Sequence, residues 1–403
     1  MFHRITQSPS LQSRDFRFLL VAAFLGSITR AEDVILGWVI LELTDSPFMV
    51  GLALGIRHAP AFFLGVTAGT IADFIDRRKL LRILMILSTL TALVGGLLLL
   101  SDGVVKVVHL LFISAIGGTI NMMFNTTEQS FVFDLVGREN GLNGMSYLGL
   151  SMRSGGTVAA LGVGLVMARW GGGYAYFVIA GACFLAVLVL GLIHSRGPSA
   201  PASNVSMLEG ISEFWRVIRA SPTILALVMI VMFVELFGFT PKALFPSIAR
   251  DVWHLGPGGL GLLSAFSSAG GILAIASISL YGRIRYQGIA FIAVILIFGV
   301  SILSIGFAPS FSVAIIAITV MSGMMALSDL FSQTILQRLV PNDLRGRVMG
   351  AWTMAVGTSP IGNLEIGALA SLIGITLALA AHGGALILLG LIVLLSFRRL
   401  RTI

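Results

Sequence analysis

Apolar residues come in long runs along this chain, separated by short polar breaks. Crossing a hydrocarbon core of about 30 Å takes about 20 mostly apolar residues in a helix. Scanning at that length predicts twelve transmembrane helices, over 16–43, 47–72, 80–100, 105–132, 142–168, 174–194, 221–247, 257–281, 288–307, 311–337, 348–372 and 377–397. The breaks carry turn chemistry: TDSP, SDG, RWGGG, LGPGG and APS. The N-terminal stretch lacks a short apolar core with a small-residue cleavage site, so the first span is expected to be retained.

The longest polar interruption is SRGPSAPASNVSMLEGISEFWRVIRA, residues 195–220. Its first part is rich in Pro, Ser and Ala and reads as flexible. From Met207 it turns amphipathic, with Trp215, Arg216 and Arg219, which predicts a short helix on the inner membrane surface. The domain organisation expected is a six-helix bundle over 1–194, a cytoplasmic linker over 195–220 and a second six-helix bundle over 221–403. The halves echo one another: SPFMVGL opens the second span and GPGGLGL the eighth, while QSFVFDLVGREN leaves the fourth and QTILQRLVPNDL the tenth.

Polarity also recurs every third helix. The third, sixth and ninth spans hold no Asp, Glu, Lys or Arg in their apolar cores, and the twelfth holds only His382. The first, fourth, seventh and tenth carry Arg30/Glu32/Asp33, Asn121/Asn125/Glu128, Glu235/Lys242 and Asp329. Helices with charges should face water or protein and uncharged ones lipid, since a charge at bilayer depth costs about 2.5–3.5 kcal/mol or more. The fold class expected is therefore an all-α membrane protein, two pseudo-symmetric bundles of three-helix units around a central cavity.

Composition agrees: 57% of residues are hydrophobic and 11% charged, against about 25% charged in soluble domains. The net charge of +8 would suggest nucleic acid if it were clustered. It is distributed instead by topology. With the N-terminus inside, most of the 26 lysines and arginines fall on inner segments, from Arg4, Arg14 and Arg17 through Arg77, Arg78 and Lys79 to Arg398, Arg399 and Arg401. The outer loops hold Lys106, Arg169 and Arg250, and four more (Arg30, Arg57, Arg153 and Lys242) lie within spans. This bias places both termini in the cytoplasm and requires no nucleic-acid partner.

The segment GTIADFIDRRKLL, Gly69 to Leu81, resembles the cytoplasmic loop signature of the major facilitator superfamily, G-x-x-x-D-[RK]-x-G-[RK]-[RK]. Gly69, Asp73, Arg77 and Arg78 fall on its glycine, acid and two basic positions; Phe74 and Asp76 depart from it. Within that superfamily, FDLVGRENGLNGMSYLGLSMRSGG and LVPNDLRGRVMGAWTMAVGTSPIGNLEIGAL are similar to the branch of enterobactin exporters, macrolide efflux pumps and lysophospholipid transporters. An R-x-x-G-P motif frequent there is matched by Arg153 and Gly156, with Thr157 in place of the proline. The resemblance implies alternating-access transport in a bacterial inner membrane, with export as its direction. It also implies a cytoplasmic gate of Gly69, Asp73, Arg77 and Arg78. The alternative for the arginines is that they only anchor topology.

The buried charges are the candidate chemistry. Helical spacing puts Arg30 and Asp33 on one face, with Glu32 about 100° away. Counting from the TDSP turn sets Arg57 and His58 at the depth of Glu32 and Asp33, so these four are expected to meet. Two readings stand: an ion-pair cluster that neutralises itself, or a proton-coupling or substrate site holding Arg30, Glu32, Asp33, Arg57 and His58. Glu235, Asp329 and Glu365 are further coupling or substrate candidates, and Glu365 has no evident partner in the sequence. Arg153 could hold an anionic substrate or pair with Glu128. Lys242, after Pro241, reads as a snorkelling residue.

Other chemistry is not indicated. His58, His109, His194, His254 and His382 lack metal-ligand spacing. The chain has no G-x-x-x-x-G-K-[ST] phosphate loop, and GGG at 171–173 reads as a helix breaker. The single cysteine, Cys183, cannot form an intrachain disulfide. No cofactor, no metal and no convergent catalytic set is expected, so an embedded enzyme or a non-transporting receptor ranks below a transporter. The reading is a monomeric, proton-coupled exporter of a small amphipathic molecule, drug-like or siderophore-like, in the lipid bilayer. A lysophospholipid carrier without proton coupling is the alternative.

Overall fold

The structure is a computed structural model that describes residues 9–101, 103, 105–195, 222–281, 286–339, 352–397 and 400, and of 9, 62–74, 138, 142 and 279–281 the backbone course alone. The linker expected over 195–220 lies almost wholly outside the described residues. Among the described residues the secondary structure is helical throughout.

The first predicted span is helical but divided. Helix α1 (Arg14–Gly26) begins at Ser13, whose hydroxyl accepts from Phe16 N, and carries Asp15 in its first turn. A 3-10 turn follows over Ser27–Ala31, and α2 runs Glu32–Thr44. A tightened turn in mid-helix often marks a functional hinge, and this one lies where the sequence places its charges. Helix α3 (Pro47–Phe74) and α4 (Arg77–Leu100) come next. The fourth and fifth predicted spans are α5 (Val107–Gly137) and α6 (Glu139–Trp170). A loop was expected between them. The chain instead stays helical except at Gly137, whose φ of 75° kinks it in one residue. Helix α7 spans Gly172–Gly191.

The seventh span, α8 (Pro222–Val252), is regular only to Val234. A π turn covers Glu235–Phe239, a 3-10 turn Thr240–Leu244 and a second π turn Ile248–Val252. Pro241 and Pro246 account for much of this, because each lacks an N–H for the helical ladder. Then follow α9 (Pro257–Tyr281), α10 (Gln287–Gly306), α11 (Phe311–Arg338), α12 (Ser359–Ile373) and α13 (Ile375–Ser396).

Among the described residues nine helices, α4 to α11 and α13, are long and apolar enough to cross a membrane. The predicted first span misses that count because it is broken into pieces. The predicted second is described in its side chains only up to residue 61, and in the predicted eleventh the helix that follows the turn at 357–358 is only 15 residues long.

The described residues gather into two compact units. One takes those within 1–43, 56–204 and 256–265; the other takes those within 44–55, 205–255 and 266–403. In the first unit α4 packs along α7, and α1 lies against α6 and α7. In the second, α10 packs along α13 on one side and α11 on the other. Large apolar side chains face outward on α4 (Leu90, Val94, Leu97), α7 (Phe184, Leu188), α10 (Ile297, Val300) and α13 (Leu388, Leu395). These belong to the uncharged third, sixth, ninth and twelfth spans, and so broad an apolar exterior suits contact with lipid.

Candidate functional site

In the first unit the charges are built around Arg57. Its guanidinium fork reaches from α3 to both acids at the start of α2. Nη1 donates to Glu32 Oε2 at 2.5 Å, and Nε lies 2.6 Å from Asp33 Oδ1 as an ion pair. Nη2 donates to the Thr29 carbonyl at 3.0 Å. Tyr176 of α7 adds its hydroxyl to Glu32 Oε1 at 3.3 Å. Arg57, Glu32 and Tyr176 are buried, whereas the Asp33 side chain keeps 37% of its surface open. A planar fork that grips two carboxylates at once is a task for arginine rather than lysine.

The backbone of α5 makes room for this. A Cβ on Gly117 would stand 2.8 Å from Glu32 Oε2 and 2.9 Å from Arg57 Nη1, and one on Gly118 would run into the Arg57 carbonyl. Further along α5, Asn121 Nδ2 donates to Thr29 Oγ1 at 2.8 Å, and Asn125 Nδ2 to Asn121 Oδ1 at 2.6 Å. A small cavity lined by Thr29, Glu32, Ser88, Thr91, Asn121 and Phe124, among others, opens beside Glu32.

Arg30 lies exposed on the 3-10 turn, and the charges acting on it are those of Glu128, Arg153 and Asp33. Glu128 is wholly buried and neither of its carboxylate oxygens accepts a hydrogen bond; Arg30 supplies its counter-charge. The sequence spacing put Arg30 and Asp33 together. In the structure Asp33 is held by Arg57, and Arg30 is left to serve Glu128. Asp33, Glu32 and Glu128 thus stand against Arg30, Arg57 and Arg153, a cluster whose formal charges cancel. His58, adjacent to Arg57 in the chain, is exposed.

The second unit holds the remaining candidates. Glu235 is buried where the first π turn begins, and its charged neighbours are Asp329 of α11 and Lys242 of the 3-10 turn. Glu365 of α12, unpartnered in the sequence reading, lies with Oε2 2.9 Å from Nε2 of the buried His382 on α13. His382 Nδ1 is 3.1 Å from the Phe237 carbonyl. Sequence reasoning left His382 among scattered histidines and passed over Tyr176. The signal available for His382 was that it is the one polar group in the core of the twelfth span.

Of the expected gate, Gly69 and Asp73 belong to the stretch described by its backbone alone. Arg77 Nη1 donates to Asp134 Oδ2 at 2.6 Å, tying the start of α4 to the end of α5. Asp76 caps α4, accepting from Arg78 N at 3.0 Å and Lys79 N at 3.4 Å, and Arg78 Nη2 reaches the Gly191 carbonyl at 3.3 Å. Asp134 was not singled out in the sequence.

Apolar helices with a lipid-suited exterior and buried charge clusters define a multi-pass membrane transporter. Residues 6–402 match the family described as transmembrane secretion effector, and the chain belongs to that family of major facilitator transporters. It is 25% identical over 395 residues to the enterobactin exporter EntS of Salmonella choleraesuis (strain SC-B67), covering 96% of this chain and 93% of the relative. It is 24% identical over 392 residues to EntS of Escherichia coli O1:K1 / APEC, covering 96% and 92%. In fold it resembles the nucleoside transporter NupG, with a TM-score of 0.75 at 13% identity, covering 96% of this chain and 99% of that one. A POT family transporter bound to a thioalcohol-conjugated peptide gives 0.75 at 12% identity, covering 96% of each.

Proposed function

We propose that this protein is a secondary active transporter that exports a small amphipathic molecule by alternating access, driven by protons, with both termini in the cytoplasm. The observation that carries the reading is the group Glu32, Asp33 and Arg57. Two carboxylates compete for one buried guanidinium, so a proton taken by either acid leaves Arg57 satisfied by the other. Asp33, the more open of the two, is the entry point, and Glu32 is the acid whose protonation loosens the grip on the hinge-like 3-10 turn. The enterobactin exporters among the relatives support export as the direction. Arg30, exposed beside Arg153, supplies positive charge for an acidic or catechol-bearing group on the substrate. Glu235 with Asp329 and Lys242 is the corresponding polar centre of the second unit. Gly69, Asp73, Arg77 and Arg78 form the cytoplasmic gate.

The test is flux in proteoliposomes under an imposed pH gradient. The probes are ethidium, 2,3-dihydroxybenzoyl-serine and a fluorescent lysophospholipid. Movement of either of the first two that follows the gradient, and that loses its proton dependence in Glu32→Gln or Asp33→Asn, supports the reading. Lysophospholipid movement indifferent to the gradient, or retained proton dependence in Glu32→Gln, Asp33→Asn and Glu235→Gln alike, overturns it.

A further inference from the structure

The twelfth span contains one polar group in its core, His382, and the structure gives both ring nitrogens a partner of a different kind. Nδ1 faces the Phe237 carbonyl at 3.1 Å. A carbonyl oxygen only accepts, so Nδ1 carries a proton. Nε2 then faces Glu365 Oε2 at 2.9 Å. Two lone pairs cannot share so short a contact. Neither atom makes a hydrogen bond, and the contact calls for a second proton on Nε2 or on the carboxyl.

The Phe237 carbonyl is available for a reason legible in the sequence. Its helical donor would be the N–H four residues on, and that residue is Pro241. The carbonyl lies in the π turn Glu235–Phe239, just before the 3-10 turn that Pro241 enters. His382 therefore bonds the seventh span at its break. Its ring also meets the Phe237 ring edge to face at 5.2 Å, and Phe237 stacks on Phe233 at 5.8 Å. The histidine is held from behind by a close approach of α10 and α13: a Cβ on Gly299 would stand 2.7 Å from the Gly383 carbonyl, and one on Gly383 equally close to that of Gly299. Charged groups on the elements packed against His382 are Glu365 of α12 and Glu235 and Lys242 of the seventh span; Asp329 of α11 acts on Glu235. Helix α10 and the regular part of α8, up to Val234, bring none.

We propose that Glu365 and His382 form a proton-binding pair that is tied, through the Phe237 carbonyl, to the break in the seventh span. A proton enters at Glu365, whose side chain keeps 39% of its surface open. It is shared with His382 Nε2, and it leaves by the same carboxylate. Without it the Glu365–His382 contact opens, and the hold of His382 on the Phe237 carbonyl loosens with it. The coupling of this site to solute movement rests on the transport reading above; the existence of the site does not.

The experiment uses the full chain in nanodiscs with nitrogen-15 histidine, and His382→Gln assigns the signal. The expected result is a His382 ring protonated at Nδ1 throughout, with Nε2 taking up a proton as pH falls. Glu365→Gln removes the carboxylate that holds the shared proton, so the pH response of the Nε2 signal changes. A ring protonated on Nε2 alone, an Nε2 signal that does not respond to pH, or the same response in Glu365→Gln overturns the proposal. Parallel flux measurements separate the two claims. If the wild-type protein moves none of the three probes while His382 titrates with Glu365, the transport reading fails and the proton site stands.

Discussion

Arg57 Nη1 and Glu32 Oε2 stand 2.5 Å apart between two buried side chains, on helices separated by the TDSP turn. Asp33 leans on the same guanidinium from its more open side. Removing the cation strands two acids at once. Arg57→Met is expected to cost about 3–5 kcal/mol, the usual penalty for breaking a buried pair from one side. Glu32→Gln keeps a hydrogen-bonding atom and should cost less, about 1–3 kcal/mol. The double variant Arg57→Met/Glu32→Gln should be more stable than the sum of the singles. Thermal unfolding in one detergent measures all three, and an unchanged midpoint for Arg57→Met would refute the energetic role given to the pair.

The closeness of α5 to this pair sets a second expectation. At Gly117 an added methyl meets side-chain tips that can move, whereas at Gly118 it meets the Arg57 backbone. Gly118→Ala should therefore destabilise by about 1–3 kcal/mol, as overpacking does, and Gly117→Ala by less. Gly117→Ala should instead disturb the Glu32 carboxylate, visible as a changed proton dependence of flux. Equal stability losses at the two positions would contradict the geometry.

These residues show how far the sequence could be read. Span lengths, the expected inner bias of arginine and the charge-free cores of the third, sixth, ninth and twelfth spans are one-dimensional properties, and the apolar exterior of α4, α7, α10 and α13 follows them. Depth counting across the TDSP turn brought Arg57 to the acids, because a short turn fixes the register of the two helices it joins. Rotation about the helix axis was not legible. Helical spacing sets Arg30 near Asp33, whose charge does act on it, but the short contact to Asp33 is made by Arg57 from α3. The Glu365–His382 contact joins α12 to α13 and depends on tertiary packing that no spacing encodes. The π turns of the seventh span were equally hidden, although Pro241 marks their cause.

Asp15 offers a pH expectation outside the membrane. Burial alone would raise its pKa, but the Ser195 hydroxyl at 2.6 Å, the Ser195 and His194 amides at 2.7 and 3.1 Å and the charge of His194 hold its carboxyl below the usual aspartate value. A depressed pKa means that the contact stabilises the fold above the unfolded value, near 3.8, and is lost as pH falls through the folded one. The tie between the start of α1 and the segment that follows α7 should therefore persist at neutral pH and release under acid. Asp15→Asn should weaken it at neutral pH. A spin-label pair at residues 12 and 192 would report the separation; no widening as the pH is taken well below 3.8 would sink the assignment.

The link between Arg77 and Asp134 separates two roles for one arginine. The pair is largely buried, with side chains 11% and 15% exposed, and a charged hydrogen bond of this kind contributes about 1.5–3 kcal/mol. Asp134 lies three residues before the kink at Gly137, so the bond fixes the start of α4 against the end of α5. Arg77→Asp should lower both the thermal midpoint and probe flux. The exchange Arg77→Asp/Asp134→Arg restores opposite charges in the same place and should recover most of the stability. If Arg77 served only as this strut, flux would return with it. The proposed gate needs Arg77 beside Asp73 as well, and an aspartate at position 77 would repel that carboxylate instead of pairing with it. The exchanged variant is accordingly expected to be stable but slow, with flux several-fold below wild type. Full recovery of both would show that Arg77 takes no part in gating.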